Sequence, residues 1–230
     1  MTSTKIHHPS SSKGRGGTSC RVCGVDEAGK GPVLGPMVIA GVACSDPREV
    51  AATGVMDSKE LSPRRRSELF SIIQERFPYT VVIRTASDID QLRTEMTMNE
   101  ITARAHAEVI SNLMCNEAFL DACDVNEERF ARTVGGMVGY PCRITARHKA
   151  DRTFPLVSAA SIVAKVIRDG LVRELETEYG DIGSGYPADP VTIRFLTRYI
   201  EEHGQPPAIA RRSWATVKNL LKKTSQKTLF

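Results

Sequence analysis

Apolar positions crowd into two runs, residues 21–25 and 33–44, that flank a polar, glycine-bearing segment, Asp26-Glu27-Ala28-Gly29-Lys30-Gly31-Pro32. The pattern predicts strand, tight turn, strand: a hairpin with acids at its bend. Ser62 followed by Pro63 has the form of an N-cap and first-turn pair, so a helix is predicted to about residue 76, before residues 79–84 resume as a strand. Within 97–114, Ile101, Ala105, Val109 or Ile110 and Leu113 recur at helical spacing, and Ala118, Phe119 and Leu120 then lead as a short strand into Asp121. A helix over 126–137 and a strand over 142–146 follow. Pro155 opens a long helix to about residue 179, Asp189-Pro190 starts another to about 203, and Ser213 caps a last one to about 223. Mixed strands and helices followed by terminal helices predict an α/β sheet domain extended by a helical segment, with no internal repeat.

With 230 residues, 41% of them hydrophobic, the chain can bury one sizeable core, and one main domain is expected. The longest apolar stretch is broken by Gly35, Pro36 and Gly41, too short for a membrane-spanning helix. Residues 1–19, rich in Ser, Gly and His, lack the apolar core of a secretory signal and read as a flexible polar tail, which predicts a cytoplasmic protein. Six sparse cysteines fit a reducing compartment, and Cys20-x-x-Cys23, without a second ligand pair, reads as a chance pairing rather than a zinc site. The net charge of +4 is modest but uneven: from Gly204 to Phe230 there is no acid, while Arg211, Arg212, Lys218, Lys222, Lys223 and Lys227 are all cationic. Such an end fits either a polyanionic partner or a solvated helix face.

The glycine turn fails the nucleotide-binding templates. Gly29, Gly31 and Gly35 are spaced one residue too long for the dinucleotide fingerprint, and Lys30 is followed by Gly rather than Ser or Thr. Two carboxylates just before the loop would repel a pyrophosphate and attract a divalent cation. Asp121 after its strand and Asp151 before the long helix stand at comparable sheet ends. If the strands are neighbours the carboxylates converge, and hard oxygen ligands favour Mg²⁺ or Mn²⁺. A pair of such ions can drive in-line phosphodiester hydrolysis, so carboxylates beside a basic surface suggest a nuclease. Asp26 and Glu27 are adjacent and would face opposite sides of a regular strand, so Glu27 needs the turn to swing it round, or acts through water or its backbone carbonyl. In the helix from Pro155, Ser158, Ser161, Lys165, Arg168 and Asp169 share one arc, opposite Ala160, Val163, Ile167 and Leu171. Lys165 or Arg168 then borders the acids or forms a salt bridge with a neighbouring Asp. Arg64, Arg65 and Arg66 oppose the helix dipole in their first turn, which suggests phosphate contact, or else a solvated face.

The motifs Val25-Asp26-Glu27-Ala28-Gly29-Lys30-Gly31-Pro32, Asp57-Ser58-Lys59-Glu60-Leu61-Ser62, Asp121-Ala122-Cys123-Asp124-Val125, Lys149-Ala150-Asp151, the run from Ser158 to Val166 with Arg168-Asp169, and Gly183-Ser184-Gly185-Tyr186-Pro187 occur in that order. Together they resemble ribonuclease HII, the type 2 ribonuclease H, in its archaeal form. The resemblance implies a ribonuclease H-like mixed sheet flanked by helices over 20–180, a helical C-terminal extension over 181–224 and a tail over 225–230. It implies endonucleolytic cleavage of RNA in RNA–DNA hybrids and at single ribonucleotides in DNA, leaving 5′-phosphate and 3′-hydroxyl ends, with Mg²⁺ or Mn²⁺ as cofactor. The family's four acids correspond to Asp26, Glu27, Asp121 and Asp151, as catalytic residues and metal ligands. Its glycine-basic-glycine motif corresponds to Gly29-Lys30-Gly31, where Lys stands in place of the usual Arg and lacks its planar fork. Its tyrosine corresponds to Tyr186, implied to stack on the deoxyribose after the ribonucleotide, and Lys59 to a phosphate contact. The end, Gln226-Lys227-Thr228-Leu229-Phe230, resembles the sliding-clamp-binding tails of archaeal relatives but lacks their second aromatic, and an undocked tail is the other reading. The expected partners are hybrid duplexes and that clamp, and the expected state is a monomer. Two other readings remain open at this level: a non-catalytic hybrid-binding protein, and a metal-dependent DNA nuclease or phosphatase.

Overall fold

Six strands form one mixed sheet in a computed structural model that describes residues 3–7, 21–55 and 61–227. The strands are β1 (Ser3–His7), β2 (Val22–Ala28), β3 (Met37–Cys44), β4 (Tyr79–Arg84), β5 (Glu117–Asp121) and β6 (Arg143–Arg147), in the order β1-β4-β3-β2-β5-β6. β3 pairs antiparallel with both β2 and β4, while β5 lies parallel to β2 and β6 parallel to β5. Among the described residues no helix is long and apolar enough to cross a membrane.

Strand alternation sorts the side chains into two cores. On one face Cys23, Val25 and Ile39 pack against α4 (Met98–Leu113) and α5 (Glu127–Gly135), through Ile101, Val109 and Phe130. On the other, Val38, Ala40 and Val42 meet α2 (Pro63–Arg76) and α6 (Pro155–Tyr179), through Leu69, Ile73, Ala160 and Val163. Gly24 admits the start of α6: a Cβ there would sit 2.2 Å from the Leu156 carbonyl carbon. This close approach seats α6 across the middle of the sheet, with its polar arc at the C-terminal end of β2. A third cluster, including Val33, Leu34, Phe195, Leu196 and Val217, fastens α7 (Pro190–His203) and α8 (Ala215–Lys227) to the loop after β2.

Two short helices, α1 (Pro47–Ala51) and α3 (Ala86–Leu92), lie outside the sequence expectation. So does β1, inside the segment read as a tail, which pairs antiparallel with β4 at the sheet edge. An edge strand is held by main-chain hydrogen bonds, which leave no mark in the hydropathy pattern. The hairpin also differs from expectation. Asp26 and Glu27 are still within β2, paired with Ala40 and Ile39, and the bend begins only after Ala28.

Candidate active site

Parallel pairing of β2 with β5 sets Val25 beside Leu120, so the next residues of the two strands, Asp26 and Asp121, emerge at the same end of the sheet. Asp151 arrives from β6 by a tight turn. Lys149 takes the left-handed conformation (φ 55°, ψ 39°) and starts a single 3-10 turn, Ala150–Arg152. That turn aims the Ala150 N–H at Asp121 Oδ1, 2.8 Å away, tying the two acid-bearing segments together. The three aspartates and Glu27 line one cavity of about 280 Å³, together with Gly29, Lys30 and Gly31 of the glycine loop and with Ser161, Lys165, Arg168 and Tyr186.

Asp26 is 6% exposed and Asp151 5%. Burial pushes the Asp26 carboxyl well above the ordinary carboxylate range, and the charges of Glu27 and Asp121 push it further. Hydrogen bonds from the Ser161 hydroxyl and the Glu27 backbone act the other way. A buried carboxylate opposed by two others is the electrostatic condition that a divalent cation relieves. The donor set is all oxygen, which fits Mg²⁺ or Mn²⁺ rather than a soft metal. Among the described residues no three acid, His or Cys side chains close on one point as a finished cage. The carboxylates line an open cavity, in keeping with an ion that retains several of its waters.

Glu27 keeps its strand geometry rather than being swung round by a turn. Asp26 faces α6 and Ser161, whereas Glu27 faces α4, where His106 Nε2 lies 3.0 Å from Glu27 Oε2 and donates to it. Both carboxylates border the cavity because it wraps the end of the strand. His106 is fully buried against the edge of Phe130 and is a residue that the sequence expectation missed. Its signal was an imidazole among Ala103, Val109 and Ile110 on a largely apolar helical face.

The glycine loop is held from several sides. Gly29 (φ 84°) has the backbone freedom the turn needs, and the space where its Cβ would stand is 3.2 Å from Arg168 Nε. Lys30 Nζ donates to Asn99 Oδ1 at 2.8 Å and to the Cys123 carbonyl at 3.0 Å, so this ammonium braces the loop against α4. Tyr186 is 44% exposed, its ring below the Arg168 guanidinium at 5.9 Å and beside Gly31. Of the polar arc on α6, Ser161, Lys165 and Arg168 reach the cavity, and Lys165 also pairs with Asp169 at 3.6 Å. Arg64 and Arg65 pair with Glu68, and Arg66 is buried, donating to the Leu61 carbonyl at 2.6 Å. Arg66 thus has a structural explanation in place of phosphate contact. Lys59 and Cys20 lie outside the described residues, as do residues 228–230 of the tail, while Gln226 is exposed near the end of α8.

The family model described as Ribonuclease HII matches residues 23–217. The chain is 60% identical over 209 residues to the ribonuclease HII of Methanospirillum hungatei, covering 91% of this chain and 99% of that one. Its fold is similar to the crystal structure of ribonuclease H2 from Pyrococcus horikoshii, with TM-score 0.84 and 36% identity over 90% of this chain and 99% of the other. It is similar also to the structure of the PCNA:RNase HII complex from Archaeoglobus fulgidus, with TM-score 0.79 and 42% identity over 84% of this chain and 94% of that chain.

Proposed function

The chain belongs to the ribonuclease HII family, endonucleases that cleave the RNA strand of RNA–DNA hybrids, and from that premise we propose that it also cuts at single ribonucleotides embedded in duplex DNA, by two-metal-ion hydrolysis. Asp26, Asp121 and Asp151 hold Mg²⁺ or Mn²⁺, and Glu27, steadied by His106, serves as an assisting ligand or orients the attacking water. Ions bound there supply an activated water and neutralise charge on the leaving oxygen. The glycine loop, Gly29-Lys30-Gly31, approaches the ribose closely enough for its backbone to meet the 2′-hydroxyl, the group that distinguishes RNA from DNA. Tyr186, half-exposed at the cavity mouth and backed by Arg168, stacks on the sugar that follows, and Lys59 contacts a phosphate. Hydrolysis leaves a 5′-phosphate and a 3′-hydroxyl.

The observation that carries this reading is the meeting of four carboxylates, from three segments spread between residues 26 and 151, in a cavity that also contains the glycine loop and Tyr186. A duplex holding one ribonucleotide tests it against an all-DNA duplex of the same sequence. Nicking at the ribonucleotide in Mg²⁺ or Mn²⁺, abolished by chelator and absent on all-DNA, is the expected result. Equal cutting of both duplexes would assign the site to a DNA nuclease.

A clamp-binding role for Gln226 to Phe230 forms part of the proposal. It is supported by the tail sequence and by the similarity to a ribonuclease HII found in complex with PCNA.

A further inference from the structure

Three consecutive carbonyl groups of the glycine loop are drawn toward one short segment of the C-terminal extension. Arg211 Nη2 donates to Gly29 O at 2.5 Å and Nη1 to Lys30 O at 2.8 Å, while Trp214 Nε1 donates to Gly31 O at 3.2 Å. The same guanidinium spans the loop to its far end, with Nε and Nη2 at 3.1 and 3.0 Å from Gly35 O. Arg211 is fully buried, and its guanidinium lies 5.0 Å from the Trp214 ring. Burial pushes its pKa down to about 9, with the nearby Arg168 charge acting the same way, yet it remains a cation at neutral pH. A desolvated charge whose hydrogen-bond acceptors are backbone carbonyls is an expensive way to hold a loop unless the loop's shape matters.

Peptide geometry says what that shape achieves. In a planar trans peptide the N–H points away from the carbonyl that precedes it, and no described peptide bond is cis. Turning the carbonyls of Gly29 and Lys30 toward Arg211 therefore turns the N–H groups of Lys30 and Gly31 the opposite way. Both residues line the carboxylate cavity, and among the described residues neither N–H has a protein acceptor.

We propose that Arg211 is a positioning residue that fixes the glycine loop from behind, so that the Lys30 and Gly31 N–H groups stand preset as a donor pair for the ribose hydroxyl and its adjoining phosphate. The inference rests on the reading of this loop as the element that senses the ribonucleotide. Lysine cannot substitute, because one ammonium lacks the planar fork that meets three carbonyls together.

Binding measured in an Asp121→Asn background separates this role from general stability. The probes are a duplex with one ribonucleotide and its all-DNA counterpart, and the readout is the ratio of their Kd values. Arg211→Lys is expected to shrink that ratio by about fivefold or more, while affinity for all-DNA stays within about twofold. Trp214→Phe, which removes a single carbonyl contact, shifts it less in the same direction. An unchanged ratio in a folded Arg211→Lys protein overturns the proposal. Should Arg211→Lys fail to fold, an unchanged ratio in Trp214→Phe overturns it equally. If the Asp121→Asn parent shows no preference for the ribonucleotide, the reading of the loop itself falls and this role falls with it.

Discussion

Asp26 concentrates the electrostatics of the site in one side chain. Its raised pKa means that, without divalent cations, the folded state holds this proton more tightly than the unfolded state does. By linkage, its contribution to stability falls as pH rises from the ordinary carboxylate range, about 4, through the raised folded value. Thermal melts in chelator should show that decline in the parent and a flatter profile in Asp26→Asn, with the variant melting higher at neutral pH. Added Mg²⁺ or Mn²⁺ should raise the parent's melting temperature more than the variant's. Asp121→Asn retains the Oδ1 acceptor for Ala150 but loses the charge, so cleavage should fall by several kcal/mol of transition-state stabilisation, about a thousandfold or more, while duplex binding persists. Undiminished turnover would remove Asp121 from the chemistry. His106→Leu deprives Glu27 of its partner and should lower activity by about 10- to 100-fold, with partial recovery in His106→Gln, read as kcat against metal concentration.

At the scale of elements, the site depends on where strands stop and how the chain leaves them. The left-handed Lys149 is the sharpest such exit, and a β-branched side chain tolerates it poorly. Lys149→Val should cost roughly 1–2 kcal/mol in stability and lower cleavage by displacing Ala150 from Asp121, whereas Lys149→Gly keeps the turn; melting curves and kcat together check both. Elements with strong punctuation were legible beforehand. Ser62-Pro63 and the Pro155 start mark α2 and α6, whose spans agree with the sequence expectation. α3 was missed although its capping box, Thr85 with Asp88, stood in the sequence, because a helix of seven residues shows too little periodicity beside a strand. The meeting of the four acids could be anticipated, from Asp26, Glu27 and Asp121 at strand ends and Asp151 just before the long helix. Their partners could not. His106 and Arg211 gain their roles from contacts 79 and 182 residues away along the chain, and Arg211 was hidden within a run of basic residues that charge alone suggests is surface. The bend after β2 was misread for a related reason: two carboxylates look like turn residues until the sheet edge supplies a cavity for them.

In the whole molecule, the ends of β2 and β5 supply three of the acids and the turn after β6 the fourth, and the C-terminal extension grips the glycine loop from the other side. The backbone bonds Val33 N to Gly185 O, at 2.7 Å, and Arg211 N to Val33 O, at 2.8 Å, make the loop a seam between catalytic sheet and extension. Removing only residues 225–230 leaves that seam intact. It should abolish binding to a sliding clamp in a pull-down and leave cleavage of a free oligonucleotide unchanged; retained clamp binding would discard the tail's role. The central claim is that side chains remote in sequence share divalent ions. Anomalous diffraction from crystals soaked in Mn²⁺ with a bound hybrid duplex measures it most directly. The account predicts manganese peaks within about 2.0–2.6 Å of carboxylate oxygens, with at least one ion contacted by more than one of Asp26, Asp121 and Asp151. Peaks elsewhere, or each aspartate holding a separate ion or none, would contradict it.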